Sequence, residues 1–184
     1  MSFVYSHCCT YSTYMSVSKM VCFAFDSVDL SSLMTTFLDT TDHVSHMQED
    51  LFVPGNILFS TTRSLKTTNG RITDHIVGHK TRQFYQEGIG ENAGFRIIES
   101  FLQLNLTTVL VVDRLTNCLR LVNRLTNETS RILGNCTALS PHIYDGNDPR
   151  FNTPQKIIRD SVTRDHLVLT EAGSRRLSIS GIFL

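Results

Sequence analysis

The stretch that most constrains the fold is residues 107–134, which form three short apolar segments separated by two polar turns. The first segment, residues 107–112, is rich in β-branched residues and carries apolar side chains at both odd and even positions. A strand with apolar side chains on both faces is typical of one buried on both sides. Asp113 ends this strand, and the residues after it favour turns because their short polar side chains can bond their own backbone. We therefore predict an antiparallel meander.

The same pattern returns later in the chain, which indicates repeated units. Residues 111–120 align without a gap with residues 169–178, so that Asp113 corresponds to Glu171. Further upstream, the Ile-Val-Gly sequence at 76–78 returns as Ile-Leu-Gly before Asn135. A period of about 56 residues made of strands predicts β-propeller blades rather than a helical solenoid.

These features together resemble the NHL repeat: an apolar strand, an acidic residue, a polar turn, and a strand that begins with a basic and an aliphatic residue. The segment 144–160 is similar to the lead-in of an NHL blade, and its counterpart 85–100 keeps the Gly and Phe but lacks the Asn-x-Pro. The resemblance covers about residues 51–184. It implies an all-β, six-bladed β-propeller with four-stranded antiparallel blades, acting most often as an interaction platform.

The length of the chain predicts an incomplete propeller. Six blades of about 56 residues need about 330 residues, and this chain has 184. About two and a half blades are therefore expected, with strand edges and apolar faces left uncovered. We predict that further blades of the same longer chain, or self-association, cover them.

The blade boundaries follow from the strand pattern. We expect a first blade from Leu51, a second from about Phe95 and a third from about Lys156. The predicted strands are 56–60, 64–67 and 71–77 in the first blade, 96–104, 107–112, 118–123 and 129–133 in the second, and 166–170 and 175–179 in the third.

Residues 1–50 match no repeat and are predicted to be an N-terminal extension that is poorly ordered or not native to the protein. Within it, residues 30–38 have the spacing of a short amphipathic helix. The longest apolar run, residues 20–25, is shorter than a signal-peptide core and far shorter than a membrane span. We expect no membrane-spanning segment.

Two cysteines are candidates for a disulfide. Cys118 and Cys136 lie equally far from Asn127, so a hairpin centred there would place them opposite each other, within disulfide reach. The alternative is a pair of reduced, partly buried thiols. Cys8, Cys9 and Cys22 show no metal-like spacing with histidine, and no metal site is expected.

Three N-glycosylation sequons fall at turns or strand ends of the same blade, at Asn105, Asn127 and Asn135. Together with the candidate disulfide they favour an extracellular or secreted protein. The lack of a signal peptide argues against that location.

No catalytic motif is evident. Some six-bladed relatives are lyases and lactonases that hold a metal in the central channel, which makes a fragment of such an enzyme one alternative. However, the histidines here do not recur between blades, and we interpret them as polar loop residues. Asp113 and Glu171 recur with the scaffold, which predicts a turn-capping role rather than catalysis. We expect no enzyme activity and no cofactor.

Nucleic acid is a further alternative, because some NHL propellers bind RNA on a basic face. Four arginines crowd one blade, at positions 114, 120, 124 and 131, but no aromatic residues are interleaved with them as base stacking would require. The formal net charge of zero gives no general attraction to polyanions. We therefore favour a non-catalytic platform for an unknown protein or glycan ligand, with nucleic acid unlikely as a partner.

Overall fold

The computed structural model describes residues 7–14, 17–24, 34–40, 43–134, 136, 151–160, 167–171 and 176–179. The strands in chain order are β1 (His7–Tyr14), β2 (Val17–Ala24), β3 (Met34–Thr40), β4 (Val44–Glu49), β5 (Ile57–Thr61), β6 (Leu65–Thr68), β7 (Thr73–Val77), β8 (Gly88–Ile89), β9 (Ile98–Gln103), β10 (Thr108–Asp113), β11 (Cys118–Asn123), β12 (Glu128–Gly134), β13 (Pro154–Arg159), β14 (Leu167–Glu171) and β15 (Arg176–Ile179). Within these residues the helical elements are two 3-10 turns, Gly90–Asn92 and Arg114–Thr116.

The strands form four antiparallel sheets. Their orders are β1-β2-β3, β4-β5-β6-β7, β8-β12-β11-β10-β9 and β13-β14-β15. The last three sheets are the first, second and third blades, in that order. Consecutive strands pair in each blade, except that β8 of the second blade pairs with β12 rather than with β9. The predicted all-β class and antiparallel blades are confirmed.

The N-terminal part departs from the prediction. The first blade begins at Val44 rather than at Leu51, because β4 pairs along its length with β5. Residues 34–40 form a strand paired with β2, so the helix predicted over residues 30–38 is wrong. Three of the seven residues of β3 are threonine, and β-branched residues favour an extended backbone. The backbone of β1–β3 forms a sheet that the repeat pattern did not predict.

The strand β10 is buried along its whole length. Its odd-numbered residues, Val109 and Val111, belong to a core shared with the first blade. Its even-numbered residues, Leu110 and Val112, belong to a second core that includes Ile157 of the third blade. Two-sided burial of this strand, predicted from its sequence, therefore follows from its position between two neighbouring blades.

Two glycines show that the repeat is real in three dimensions. Gly78 directly follows the last strand of the first blade and Gly134 ends that of the second, with φ angles of +107° and +86°. A Cβ on Gly78 would lie 2.2 Å from the carbonyl oxygen of Arg63, and one on Gly134 would lie 2.4 Å from that of Asn117. In both blades the chain thus crosses the preceding turn at a distance that only glycine allows.

Candidate functional site

The predicted cysteine pair is bonded in the structure. The Cα atoms of Cys118 and Cys136 are 5.2 Å apart, and both residues are buried. The bond ties the start of β11 to the segment that leaves β12. It therefore closes the hairpin at the end opposite its turn.

The hairpin register differs from the predicted one. Cys118 pairs with Gly134 rather than with Cys136, and Val122 pairs with Thr129. The reason is that Asn127 is the last residue of the turn, where it adopts a left-handed conformation with φ of 55°, and is not the centre of the hairpin. The disulfide consequently joins residues that are not direct cross-strand partners.

Two of the three predicted glycosylation sites lie at one end of the second blade. Asn105 is in the β9–β10 turn, where its Oδ1 accepts hydrogen bonds from the backbone N–H of Thr107 at 2.9 Å and from its hydroxyl at 3.2 Å. Asn127 is in the β11–β12 turn, and the two turns are joined by a hydrogen bond from the Arg124 N–H to the Thr107 carbonyl. Both asparagines are partly exposed. Asn135 lies outside the described residues.

The two recurring acidic residues hold the segment that leads into their own blade. The carboxylate of Asp113 accepts hydrogen bonds from the backbone N–H groups of Arg96 and Ile97 at 3.1–3.3 Å, and that of Glu171 accepts one from Asn152 at 2.9 Å. Asp113 occupies the N-cap position of the 3-10 turn that follows it, without a side-chain capping hydrogen bond to the backbone of that turn. The carboxylate accepts its backbone hydrogen bonds from the lead-in instead, and the turn-capping role of Asp113 and Glu171 stays a prediction.

In each lead-in, the backbone N–H groups that bind the carboxylate come directly after a buried aromatic residue. Phe95 precedes Arg96 and Phe151 precedes Asn152, and both rings are buried. A buried carboxylate thus fixes the backbone beside each ring. Burial raises the pKa of Asp113, against the opposing effect of the Arg120 guanidinium and the backbone donors.

Arg120 is fully buried and binds the same lead-in from the other side. Its guanidinium donates to the carbonyls of Gly94 and Gln86 and to the hydroxyl of Thr129, and it lies 4.2 Å from the centre of the Phe95 ring. Asp113 is its counter-ion, with a nitrogen–oxygen distance of 3.7 Å. The group is a structural cluster in which a charge, a ring and three acceptors hold one connecting segment in place.

A second buried ion pair, which the sequence did not reveal, joins the first blade to the second. Arg124 donates two hydrogen bonds of 3.1 Å to the carboxylate of Asp50. The same carboxylate accepts from the Thr67 hydroxyl at 2.5 Å and from the Phe52 N–H at 2.9 Å. Burial alone would raise the pKa of Asp50, but the hydrogen bonds from Arg124 and Thr67 outweigh it and hold that pKa below its ordinary value.

The four arginines that were considered as an RNA-binding face do not form a continuous basic surface. Arg120 and Arg124 are buried and engaged as described. Arg114 pairs with the carboxylate of Glu99 at 3.2 Å, and Arg131 donates to the carbonyl of Gly134. Two of the four charges are thus withdrawn from solvent.

The first strands of three successive blades converge at one place. The His46 ring of β4 packs edge-on against Phe101 of β9, with centroids 4.8 Å apart. Burial lowers the pKa of His46, and the Lys156 ammonium of β13 adds to this effect. His46 and His75 lie in strands, so the interpretation of the histidines as loop residues is wrong for these two. Polar neighbours concealed the strand that contains His46, whereas His75 lies within the strand predicted over residues 71–77.

Among the residues that the structure describes, no three His, Cys, Asp or Glu side chains are grouped so that they could hold a metal ion. In the same part of the chain, no helix is long and apolar enough to cross a membrane.

No protein-family model matches this chain, and no curated protein matches it. Solved structures do match. The chain is similar to an auxiliary nutrient binding protein from Bacteroides thetaiotaomicron (TM-score 0.64, 16% identity) and to one from Bacteroides ovatus (TM-score 0.61, 12% identity). It is also similar to a Bacteroides thetaiotaomicron protein named "Putative phosphatase" (TM-score 0.63, 16% identity).

These matches cover 87–89% of this chain and 44–45% of the other chains. The fold is that of an incomplete β-propeller. The chain spans less than half the length of these solved relatives, which agrees with the prediction of a partial ring. At such low identity the likeness extends to the fold alone.

Proposed function

We propose that this chain is part of a non-catalytic binding propeller of the NHL type, which presents loops to a protein or glycan ligand outside the cell. Two of the similar structures are named auxiliary nutrient binding proteins, which supports a binding role. The fold and the recurring strand–acid–turn pattern support the NHL assignment.

The observation that carries the proposal is how the buried charges are used. Asp113 and Arg120 fix the lead-in of the second blade, Glu171 fixes that of the third, and Asp50 with Arg124 joins the first blade to the second. Each of these groups is committed to holding backbone or a neighbouring blade, and catalytic groups must instead be presented to a substrate. Binding is left to exposed loops, as is common on rigid scaffolds.

The extracellular location is supported by the Cys118–Cys136 bond, because such bonds persist in oxidising compartments. The position of Asn105 and Asn127 at one end of the second blade adds to this support. If glycans occupy both positions they crowd that end, and the ligand would then bind elsewhere. We expect the protein secreted from eukaryotic cells to lose mass on treatment with peptide-N-glycosidase, and Asn105→Gln and Asn127→Gln each to remove one glycan.

Open surfaces support the proposal that further blades or a second copy complete the assembly. Among the described residues, seven large apolar side chains are exposed, with relative exposures of 41–69%: Leu51, Ile72, Ile89, Leu106, Leu115, Leu125 and Ile158. Apolar side chains of this size on a sheet or loop mark contact surfaces where they are contiguous. Light scattering during size-exclusion chromatography would show whether the chain on its own forms dimers or larger species.

The binding role is tested by native affinity electrophoresis of the secreted chain in gels that contain a soluble polysaccharide. Polygalacturonate, xylan and dextran are suitable probes, and poly-uridylate tests the RNA alternative. Retardation by at least one polysaccharide, lost when the protein is heat-denatured, is the expected result. Retardation by poly-uridylate alone would contradict the proposal.

The enzyme alternative needs its own measurement, because one similar structure carries a phosphatase name. We expect no release of nitrophenol from p-nitrophenyl phosphate above the rate of a heat-denatured sample. We also expect no increase in unsaturated products when polygalacturonate is incubated with the protein. If either assay shows turnover, the protein is an enzyme and the proposed non-catalytic role is wrong.

A further inference from the structure

The outer hairpin of the first blade contains a cavity that none of the functions considered so far uses. It has a volume of about 320 Å³ and is lined by Lys66, Thr73, His75 and Lys80. Lys66 of β6 and His75 of β7 are direct cross-strand partners, so their side chains share one face of the sheet. Thr73 lies two residues before His75 and therefore on that same face.

Lys80 reaches the cavity from the segment that follows β7. The backbone N–H of Gly78 donates to the carbonyl of Gly90 at 3.0 Å, and the Lys80 ammonium pairs with the Glu91 carboxylate. Both partners of this ion pair are more than half exposed. Such pairs are weak, so Lys80 can exchange the Glu91 carboxylate for that of a ligand at little cost.

His75 contributes an unpaired polar atom. Its Nε2 is buried and has no hydrogen-bond partner among the described residues. Buried polar atoms normally have a partner, and leaving one without a partner is unfavourable. Burial is the main cause that lowers the pKa of His75. The ammonium groups of Lys66 and Lys80 lower this pKa further, whereas the Glu91 carboxylate raises it. This shift favours the neutral ring, which can donate or accept a hydrogen bond.

The chemistry of the lining selects a ligand class. Two ammonium groups favour an anionic oxygen, while the Thr73 hydroxyl and the His75 ring suit neutral hydroxyl groups. The volume is at the lower end of the range for small-molecule sites, which favours one compact unit over an extended peptide. We propose that this cavity binds a small hydroxylated carboxylate, such as a sugar acid, with Lys66 and Lys80 holding the carboxylate. This rests on the proposed binding function and narrows it to a ligand class.

The test is calorimetric titration of the full chain with glucuronate, glucose, sulfate and a short poly-glutamate peptide. Glucuronate should bind saturably, and glucose should bind at least tenfold more weakly because it lacks the carboxylate. Equal affinity for glucuronate and glucose would overturn the proposal, as would the absence of glucuronate binding. If sulfate binds as tightly as glucuronate, the cavity is a general anion site and the proposed sugar-acid ligand is wrong. If poly-glutamate binds more tightly than glucuronate, the ligand is an acidic peptide instead.

Lys80→Gln should weaken glucuronate binding about tenfold or more. The matched control is Lys156→Gln, which removes an exposed lysine from the third blade and should leave the affinity unchanged. Urea midpoints of both variants should match the unaltered protein, which separates loss of binding from loss of fold. Equal effects of the two substitutions would contradict the assignment. If the Lys80→Gln variant no longer binds glucuronate but is still retarded by a neutral polysaccharide in the gel, the wider binding function is located on other surfaces.

Discussion

Breaking the ion pair between Asp50 and Arg124 should destabilise the protein far more than breaking a surface pair. The two side chains are 0% and 3% exposed, and two hydrogen bonds of 3.1 Å join them. Removing one partner of a buried pair costs about 3–5 kcal/mol, because the other charge is left buried without compensation. We place Arg124→Met near the lower end of that range, because Asp50 retains its bonds to Thr67 and Phe52.

The pair is best examined by a double-mutant cycle in urea unfolding followed by circular dichroism. Asp50→Asn and Arg124→Met should each lower the free energy of unfolding by about 3 kcal/mol. The double variant carries no uncompensated buried charge, so its loss should fall short of the sum by about 2–3 kcal/mol.

The Arg114–Glu99 pair is the matched control. Its side chains are 34% and 35% exposed, and its nitrogen–oxygen distance of 3.2 Å is close to that of the buried pair. Arg114→Met should cost less than about 1 kcal/mol. A coupling between Asp50 and Arg124 below about 0.5 kcal/mol, or single losses equal to that of Arg114→Met, would refute the view that this pair holds the two blades together.

Three further outcomes are expected. Replacing Cys118 and Cys136 by serine should lower the free energy of unfolding by about 3 kcal/mol, since the bond closes a loop with a sequence separation of 18, while circular dichroism keeps the strand signal. Gly134→Ala should destabilise more in urea than Gly55→Ala, because both have positive φ but only a Cβ at Gly134 meets backbone atoms within 3 Å; equal losses would contradict the clash. The pKa of Asp50 is depressed in the folded state, so its stabilising effect is complete above the unfolded-state value of about 4 and is lost as the pH falls through the depressed pKa. Asp50→Asn should accordingly flatten the acid limb of stability against pH.

The strands of the second blade were predictable because their pattern is local. The strand β11 (Cys118–Asn123) was predicted with the bounds that the structure shows, and β10 lies one residue further along than expected. Alternation, β-branching and turn residues depend on neighbours a few positions away. The repetition of a glycine at Gly78 and Gly134 could also be read from sequence, since both positions need the same crossing of a turn.

The contacts between blades were not predictable from such patterns. Asp50 and Arg124 are 74 positions apart in sequence, and neither residue is unusual in its local setting. Asp50 follows a strand, Val44–Glu49, whose side chains are mostly polar and only partly buried, so the sequence offered no sign that a blade had already begun. The hairpin register was wrong for a related reason: a turn in which Asn127 is left-handed is shifted from the symmetric arrangement that the two cysteines suggested.

The way the charges are distributed explains why function is harder to read here than fold. The acidic and basic residues that recur or cluster in the sequence, such as Asp113 and Arg120, are the ones that the structure buries against lead-in segments. A search for repeated charged residues therefore finds the scaffold. Lys66 of the proposed binding cavity lies at the position in the first blade that Arg120 holds in the second, because each follows a leucine at a register shift and pairs with the last strand of its blade. The same position of the repeat can therefore hold a residue of the scaffold in one blade and a residue proposed to bind a ligand in another, since propeller blades vary their surfaces without altering their cores.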